Sequence, residues 1–508
     1  MEMRCLKENV LMDWRVGSGQ SQAVVEGEIT LPGGLREEAR VLYAGGMAVL
    51  SGAEALQDRI LMTGRVVFHT LYTQGDPDRV QSIEATADFT HTMDLPGVQQ
   101  RMLCQTDCLV EHVEASTSGG RLMLRAVVQC YARVLSQQPQ EALTGIAGVE
   151  GLEMRTQELA YRRTVAAGGG NALLREEFDL PEGLDVRETL FATAHVLKID
   201  VTGGQGHAGV SGSVQLDVCH ASGLPGKPLV RTQHVIPFEH AVDLSGEAAE
   251  SLSAHVTVQD VAVASQEASD GGRTLRTEVQ LSFAVQADRD ERVTLLHDAY
   301  TTHGDGLLLT PLPVRFRTGD SDLHTAESGK AQLLLPEGSP PVRTVLACFA
   351  SPVLTGHTQS GGRLHAEGML EATLLYMTDD STAPVSVTVE EPFRLTFAAS
   401  TGDDDVLLLH LTDADASAVT SDRAELRYVM HLTVHGMRTD AAELIADAVP
   451  VSAPEMPGGV ILTFAQHGDD AWSIARQYRI PVARLRELNP ALSDAPPEGQ
   501  GVIVWKKA

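Results

Sequence analysis

Cysteine and aromatic residues are scarce in this chain of 508 residues. The six cysteines are scattered, and none has the CxxC spacing of a zinc knuckle. So few thiols in so long a chain predict a reducing compartment rather than a disulfide scaffold. Aromatic residues make up 4% of the sequence, so the cores must be built mainly from Leu, Val, Ala and Met. The length predicts about three to four globular domains.

Long apolar runs are also missing. No stretch approaches the ~20 apolar residues that a membrane-spanning helix needs. The first twenty residues contain no apolar core of the length found in signal peptides. We therefore expect a protein without a transmembrane segment that is made in the cytoplasm and stays on that side of a membrane.

Basic residues are in deficit, with 39 Lys and Arg against 68 Asp and Glu and a formal net charge of −29. A protein that binds nucleic acid or an anionic membrane surface needs clustered basic residues, so neither partner is expected. From Gly458 onward, six basic and five acidic residues give +1, which leaves about −30 on the rest of the chain. Solubility is the ordinary explanation of so acidic a body, and binding to a basic partner or a cation-rich matrix is the alternative.

Motifs of catalytic and metal sites are absent from the sequence. It has no GxSxG, HExxH or Walker A motif, and its 18 histidines accompany no recognisable nucleophile. The stretch 204–209 matches GxGxxG, but it leads into a strand-like run and not into a helix. Cys104 and Cys108 would lie about 13 Å apart on a strand, too far to share one zinc ion. We expect no enzymatic activity, no metal and no cofactor. A hydrolase using scattered carboxylates or histidines has no support beyond composition.

A short turn motif recurs three times at long intervals. It reads Leu-Pro-Gly-Gly at 31–34 and Leu-Pro-Glu-Gly at 180–183 and 335–338, so the copies are 149 and 155 residues apart. A glycine opens an apolar run 31 or 32 residues after each proline, and a phenylalanine follows that glycine by 25, 26 and 25 residues. These glycines and phenylalanines are Gly64 and Phe89, Gly212 and Phe238, and Gly368 and Phe393.

Each copy closes on a stretch in which apolar and polar residues alternate, at 122–134, 275–285 and 426–434. This period of two is typical of a strand with one buried face. The sequence therefore predicts a mainly β protein with three antiparallel β-sandwich or partly open barrel-like repeats. We place them at 1–149, 150–303 and 304–450, followed by a linker at 451–457 and a small domain at 458–508. Junctions between repeats are expected at 137–151 and 288–313.

The last fifty residues have a different pattern. Apolar runs at 460–462 and 502–504 predict two short strands. Between them, the aspartates of 468–470 can cap one helix, and Pro481 is suited to the start of a second helix that Asn489-Pro490 ends. The prediction is a β-α-α-β domain. Four arginines would give its helices a basic surface, which suits either an acidic partner or plain solvation: Arg476, Arg479, Arg484 and Arg486.

Four motifs in this order resemble a LysM domain: GDD at 468–470, WSIA at 472–475, LRELNP at 485–490 and PEGQ at 497–500. The resemblance implies a shallow groove for N-acetylglucosamine-containing glycans, such as peptidoglycan, between the loop after the first strand and the loop after the second helix. It places the candidate site at Gly468, Asp469, Asp470, Ala471, Trp472, Asn489 and Pro490. Two features depart from the family, namely Asp470 in place of the usual Thr and the Trp505-Lys506 ending. The alternative is that Trp472 and Tyr478 belong to the domain core and the groove binds protein.

The three repeats, with their LPxG turn, glycine-led strand and phenylalanine step, resemble the SPOCS domain of spore-forming bacteria. Three such units before a LysM domain resemble the SipL-type spore coat morphogenetic proteins and, more distantly, stage VI sporulation protein D. The resemblance implies a non-enzymatic scaffold in the mother-cell cytoplasm, at the forespore surface and later in the spore coat. Its LysM domain would dock to a basement-layer protein like stage IV sporulation protein A. Binding of glycans through the LysM domain is the alternative function.

Overall fold

The computed structural model describes residues 3–30, 39–118, 121–204, 206–247, 249–267, 272–402, 405–453 and 458–506. The expected turn at 31–34 and residues 454–457 of the expected linker lie outside these ranges. The predicted mainly β fold is confirmed, since antiparallel strands make up most of the described chain. No helix in these ranges is long and apolar enough to cross a membrane.

The strands fall into three successive units. In the first unit (3–147) they are β1 (Arg4–Ile29), β2 (Arg40–Leu56), β3 (Arg59–Gln74), β4 (Asp76–Asp94), β5 (Leu103–Ser118) and β6 (Arg121–Ala147). In the second unit (152–301) they are β7 (Leu152–Leu180), β8 (Val186–Gly204), β9 (His207–Ser222), β10 (Leu229–Asp243), β11 (Ser245–Gly246), β12 (Ser251–Glu267) and β13 (Arg273–Thr301). A 3-10 turn at Glu182–Leu184 joins β7 to β8.

The third unit (306–451) contains β14 (Gly306–Asp320), β15 (Leu323–Leu334), β16 (Thr344–Ser360), β17 (Arg363–Met377), β18 (Val385–Phe397), β19 (Val406–Thr420), β20 (Arg423–His435) and β21 (Met437–Val451). A small C-terminal domain (458–506) follows with β22 (Gly459–Phe464), α1 (Ala471–Tyr478), α2 (Val482–Leu488) and β23 (Gly501–Lys506). The GxGxxG stretch lies where β8 turns back into β9, so it does not lead into a helix.

Each unit buries its core between two antiparallel sheets. In the first unit the sheet β1-β6-β5 packs on the sheet β2-β3-β4, and the third unit repeats this order with β15-β20-β19 and β16-β17-β18. The second unit has β7-β13-β12, extended by β11, against β8-β9-β10. The alternating stretches supply the buried faces. From Leu122 to Val134 in β6, every second side chain is at most 1% exposed.

The glycine and phenylalanine of each predicted pair lie opposite each other on neighbouring strands. Gly64 pairs with Phe89, Gly212 with Phe238, and Gly368 with Phe393. A Cβ atom on any of these glycines would lie only 2.6–2.8 Å from a ring atom of its phenylalanine. The ring therefore covers the glycine, which explains why the two residues keep nearly the same spacing of 25 or 26 residues in each unit.

We predict that Gly368→Ala lowers the free energy of unfolding by about 1–3 kcal/mol, because the added methyl group forces the Phe393 ring and the Val353 carbonyl apart. Gly183→Ala is the matched control, since nothing lies within 4 Å of a Cβ at that position. Urea denaturation of both variants measures the difference. Equal stability of the two variants would contradict the packing explanation.

The long strands continue beyond the sandwiches and bring the units together. The first half of β1 pairs with the last half of β6, the first half of β7 with the last half of β13, and β14 with β21. These three ladders pack around a shared apolar core, which we call the central bundle. Each unit contributes three of the buried residues described there: Val10, Met12 and Ala142; Leu159, Tyr161 and Leu295; Val314, Phe316 and Leu444.

The connections between the units are shorter than expected. They occupy 148–151 and 302–305, inside the expected junctions 137–151 and 288–313, and strands β6, β13 and β14 take up the remaining residues of those stretches. Glutamines at 137, 138 and 140 suggest an exposed connection, but Leu143 and Ile146 behind them are buried against the other units. Residues that are buried by contact with another unit cannot be recognised from the apolar and polar pattern of their own unit.

A buried arginine links all three units where the central bundle meets the sandwiches. Arg317 of the third unit is 1% exposed and donates to Asp288 of the second unit, with Nη1 3.0 Å from Oδ1. It also pairs with Asp320, and its Nη1 lies 3.7 Å from Asp13 of the first unit. Burial alone would lower the pKa of Arg317, but hydrogen bonds and charges from Asp320 and Asp288 outweigh it and raise the pKa.

A group of stacked histidines lies between the second and third units. His195 of β8 stacks on His410, and His410 stacks on His431 with 4.6 Å between the ring centres. His324 packs beside His431. Burial lowers the pKa of His431 to about 4 and holds that of His410 well below its usual range. These rings are therefore neutral at pH 7 and act as packing groups.

Candidate functional site

The C-terminal domain places two short helices on one face of a two-stranded sheet. β22 and β23 pair antiparallel from Gly459 opposite Lys506 to Phe464 opposite Gly501. Its elements follow in the predicted order, strand, helix, helix, strand. Its core consists of Ala465, Ala471, Ile474, Ala475, Ile480, Leu485, Val502 and Val504, joined by Tyr300 of the second unit.

The first candidate loop is organised by its aspartates. Asp470 caps α1, since its Oδ1 accepts from the Ser473 amide at 2.6 Å while the Ser473 hydroxyl accepts from the Asp470 amide at 3.0 Å. This reciprocal pair is a capping box, and it confirms the predicted capping role. Asp469 accepts from the Gln466 amide and closes the turn, in which Gly468 has φ of +86°. Ala471 is buried in the domain core.

The second candidate loop is held by Asn489. Its Nδ2 donates to the Leu485 carbonyl at 2.9 Å and to the Ile503 carbonyl at 2.7 Å, and its Oδ1 accepts from the Ile503 amide at 2.7 Å. The side chain therefore joins the end of α2 to β23, and both amide protons are used within the domain. Pro490 is exposed beside it.

Helix α1 is packed against the second unit. The Trp472 indole N–H donates to the Asp298 carboxylate at 2.8 Å, and its ring meets Tyr300 edge to face with 5.0 Å between centres. Arg476 donates to the same Asp298 oxygen at 2.7 Å. Asp298 is thus shared between two donors of one helix. Trp472 belongs both to the domain core and to the contact with the second unit.

Two further contacts extend this interface. Arg479 donates to the Thr301 carbonyl at 2.9 Å and to the Gly304 carbonyl at 2.7 Å. Arg155 pairs with Asp470 at 2.6 Å. Burial alone would raise the pKa of Asp470, but the Ser473 amide and Arg155 outweigh it and lower the pKa. The carboxylate is therefore ionised at pH 7 and stays paired with the second unit.

Asp469 closes the first loop and Ala471 is buried in the domain core, and the other five candidate residues divide into three groups. Asp470 and Trp472 face the second unit, Asn489 binds β23, and Gly468 and Pro490 are exposed. Sequence reasoning missed the second unit's side of this interface, formed by Arg155, Asp298 and Tyr300. The one signal that pointed toward it was the contrast between a basic helical surface and an acidic body. Of the four helix arginines, Arg476 and Arg479 contact the body, whereas Arg484 pairs with Glu487 and Arg486 with Asp494.

Fold and site together define a protein with a mainly β body and a small α/β domain packed on it. Residues 39–118, which span β2 to β5 of the first unit, match the protein-family model described as SipL, SPOCS domain. No curated protein and no solved structure matches the chain. The family match supports the resemblance to SipL-type proteins and a role related to sporulation and the spore coat.

We predict that the indole proton of Trp472 is protected from exchange with solvent by Asp298. Asp298→Ala should accelerate this exchange roughly tenfold or more, because a hydrogen bond to a charged acceptor is lost. Spectra of the chain labelled with ¹⁵N-tryptophan measure it, and Trp472→Phe assigns the signal. Asp305→Ala is the matched control. Arg479 donates to the backbone carbonyl of Asp305, and this contact is kept when the side chain is removed. Unchanged protection in Asp298→Ala would contradict the contact.

Proposed function

We propose that this protein is a non-enzymatic scaffold in spore coat assembly, which docks through its LysM-like C-terminal domain to a basement-layer coat protein similar to stage IV sporulation protein A. The match of residues 39–118 to the SipL SPOCS model is the observation that carries this proposal. We place the protein in the mother-cell cytoplasm, at the forespore surface and then in the coat.

The body has the properties that a scaffold needs. Three units share the central bundle and the Arg317 ion pairs, so they can present fixed surfaces to several partners at once. The body carries a net charge of about −30, since the whole chain has −29 and the stretch from Gly458 onward contributes +1. Several weak contacts made by one rigid chain raise the effective concentration for each further contact.

The C-terminal domain has the properties of a docking module. It is close to neutral, it differs in fold from the body, and it is fixed on the second unit through Asp298 and Tyr300. Its exposed loop residues Gly468 and Pro490 remain accessible. We favour docking to protein over glycan recognition at this site, because Asp470 departs from the usual Thr of LysM domains and its charge is paired with Arg155 of the second unit.

A pull-down of the basement-layer protein tests this proposal. It compares the full chain with a chain that ends at residue 457. We expect recovery only with the full chain, and a reduced recovery with Pro490→Glu in the full chain. Val235→Glu, at a residue 55% exposed on the body, is the control for a new surface charge. Equal recovery with and without the C-terminal domain would contradict the docking role.

The same variants test the alternative function. Titration of the full chain with N-acetylglucosamine oligomers should give no saturable binding. Saturable binding that is lost on changing Gly468 or Asn489 would favour a glycan-binding module and would reject protein docking as the role of this groove.

A further inference from the structure

The face of the β22–β23 sheet that points away from the helices is entirely apolar. On it, Val460 lies opposite Trp505, Leu462 opposite Ile503, and Phe464 opposite Gly501. The exposed fractions are 73% for Val460, 63% for Leu462, 60% for Phe464, 44% for Ile503 and 38% for Trp505. We call these five side chains the outer sheet face.

The outer sheet face is exposed although the opposite face already forms the domain core. Val502 and Val504 point inward, are fully buried and pack with Ile461 under the helices. An antiparallel sheet with one face in water normally alternates apolar residues inward with polar residues outward. Here the outward positions hold five large hydrophobic residues and one glycine, a pattern typical of a sheet with both faces covered.

Within the described part of the chain, Arg484 lies over the Trp505 ring at one edge of this face, and the other four side chains keep the high exposure given above. The contacts with the second unit are made by the helix side of the domain, through Trp472, Arg476 and Arg479. The five side chains keep the exposed fractions given above with all three units in place. The outer sheet face and the contact with the body therefore use different elements of the domain.

We propose that the outer sheet face pairs with the same face of a second copy of this chain. A twofold interface brings one surface patch against itself, so the patch must be self-complementary. An apolar patch without charged side chains of its own meets this requirement. Two such sheets packed face to face, about 10 Å apart, would form a small sandwich with a dry interior.

The distribution of charge favours a second copy at this place. The body carries about −30, so two bodies repel each other strongly on close approach. The C-terminal domain carries about +1, and Arg484 lies over the Trp505 ring at 5.0 Å on the rim of the patch. Two copies can thus meet through their near-neutral domains while the acidic bodies stay outside the interface.

The size of the patch predicts a reversible dimer. With about 150–250 Å² for each aromatic side chain and less for each aliphatic one, these exposed fractions leave at most roughly 500 Å² uncovered per copy. A pair would therefore bury up to about 1,000 Å², which is the lower limit for a specific interface. The pairing concerns the sheet and not the groove loops, so it is independent of the proposed partner.

Sedimentation equilibrium of the purified full chain, from about 1 to 100 μM, tests the pairing. The apparent mass should rise from 54.4 kDa toward twice that value. Leu462→Glu should remain at the monomer mass over the same range, because it places a charge in the middle of the patch. Added salt should strengthen the association, since it screens the repulsion between the acidic bodies.

Leu334→Glu is the matched control, because Leu334 is 56% exposed on β15 of the third unit. It should associate like the unchanged chain. A chain that stays monomeric at 100 μM would overturn the proposal. Dimers that persist in Leu462→Glu would overturn it as well, since the interface would then lie elsewhere. Circular dichroism of both variants verifies that they are folded.

Discussion

The buried guanidinium of Arg317 is the interaction on which the arrangement of the three units depends. It contacts a carboxylate from each unit: Asp13 of the first, Asp288 of the second and Asp320 of the third. A charge that is 1% exposed is tolerated only while its partners stay in place. Separation of the units would take Asp13 and Asp288 away from Arg317 and leave it only Asp320, so the ion pairs specify how the units fit together. The apolar core of the central bundle lies beside these ion pairs and contributes the buried apolar surface that holds the units together.

Strand β13 connects this network to the candidate site. It carries Asp288 in the network, Leu295 in the central bundle, and Asp298 and Tyr300 beneath the C-terminal domain. One continuous strand therefore relates the position of the C-terminal domain to the position of all three units. This arrangement lets the domain present its outer sheet face and its loops at a fixed place on the acidic body.

Local patterns in the sequence predicted the strands and the helix cap, which depend on packing within one unit or one turn. The alternation in β6 and the glycine–phenylalanine spacing predicted strands correctly, because each reflects contacts within one unit. The capping role of Asp470 was likewise predictable, since a cap involves neighbouring residues. The continuation of β6 to Ala147 and the contact of Trp472 with Asp298 were not predictable. Both depend on contacts between residues far apart in sequence. In β6, the polar stretch 137–140 predicts an exposed loop although the residues that follow it are buried.

Arg317 thus holds the three units together as one body. Urea denaturation of Arg317→Met, beside Arg315→Met at an exposed arginine two residues earlier on the same strand, measures this dependence. We expect Arg317→Met to lower the free energy of unfolding by about 3–5 kcal/mol, because Asp288 and Asp13 stay buried without a cationic partner, and Arg315→Met to change it by less than about 0.5 kcal/mol. Equal stability of the two variants would show that the units do not depend on Arg317.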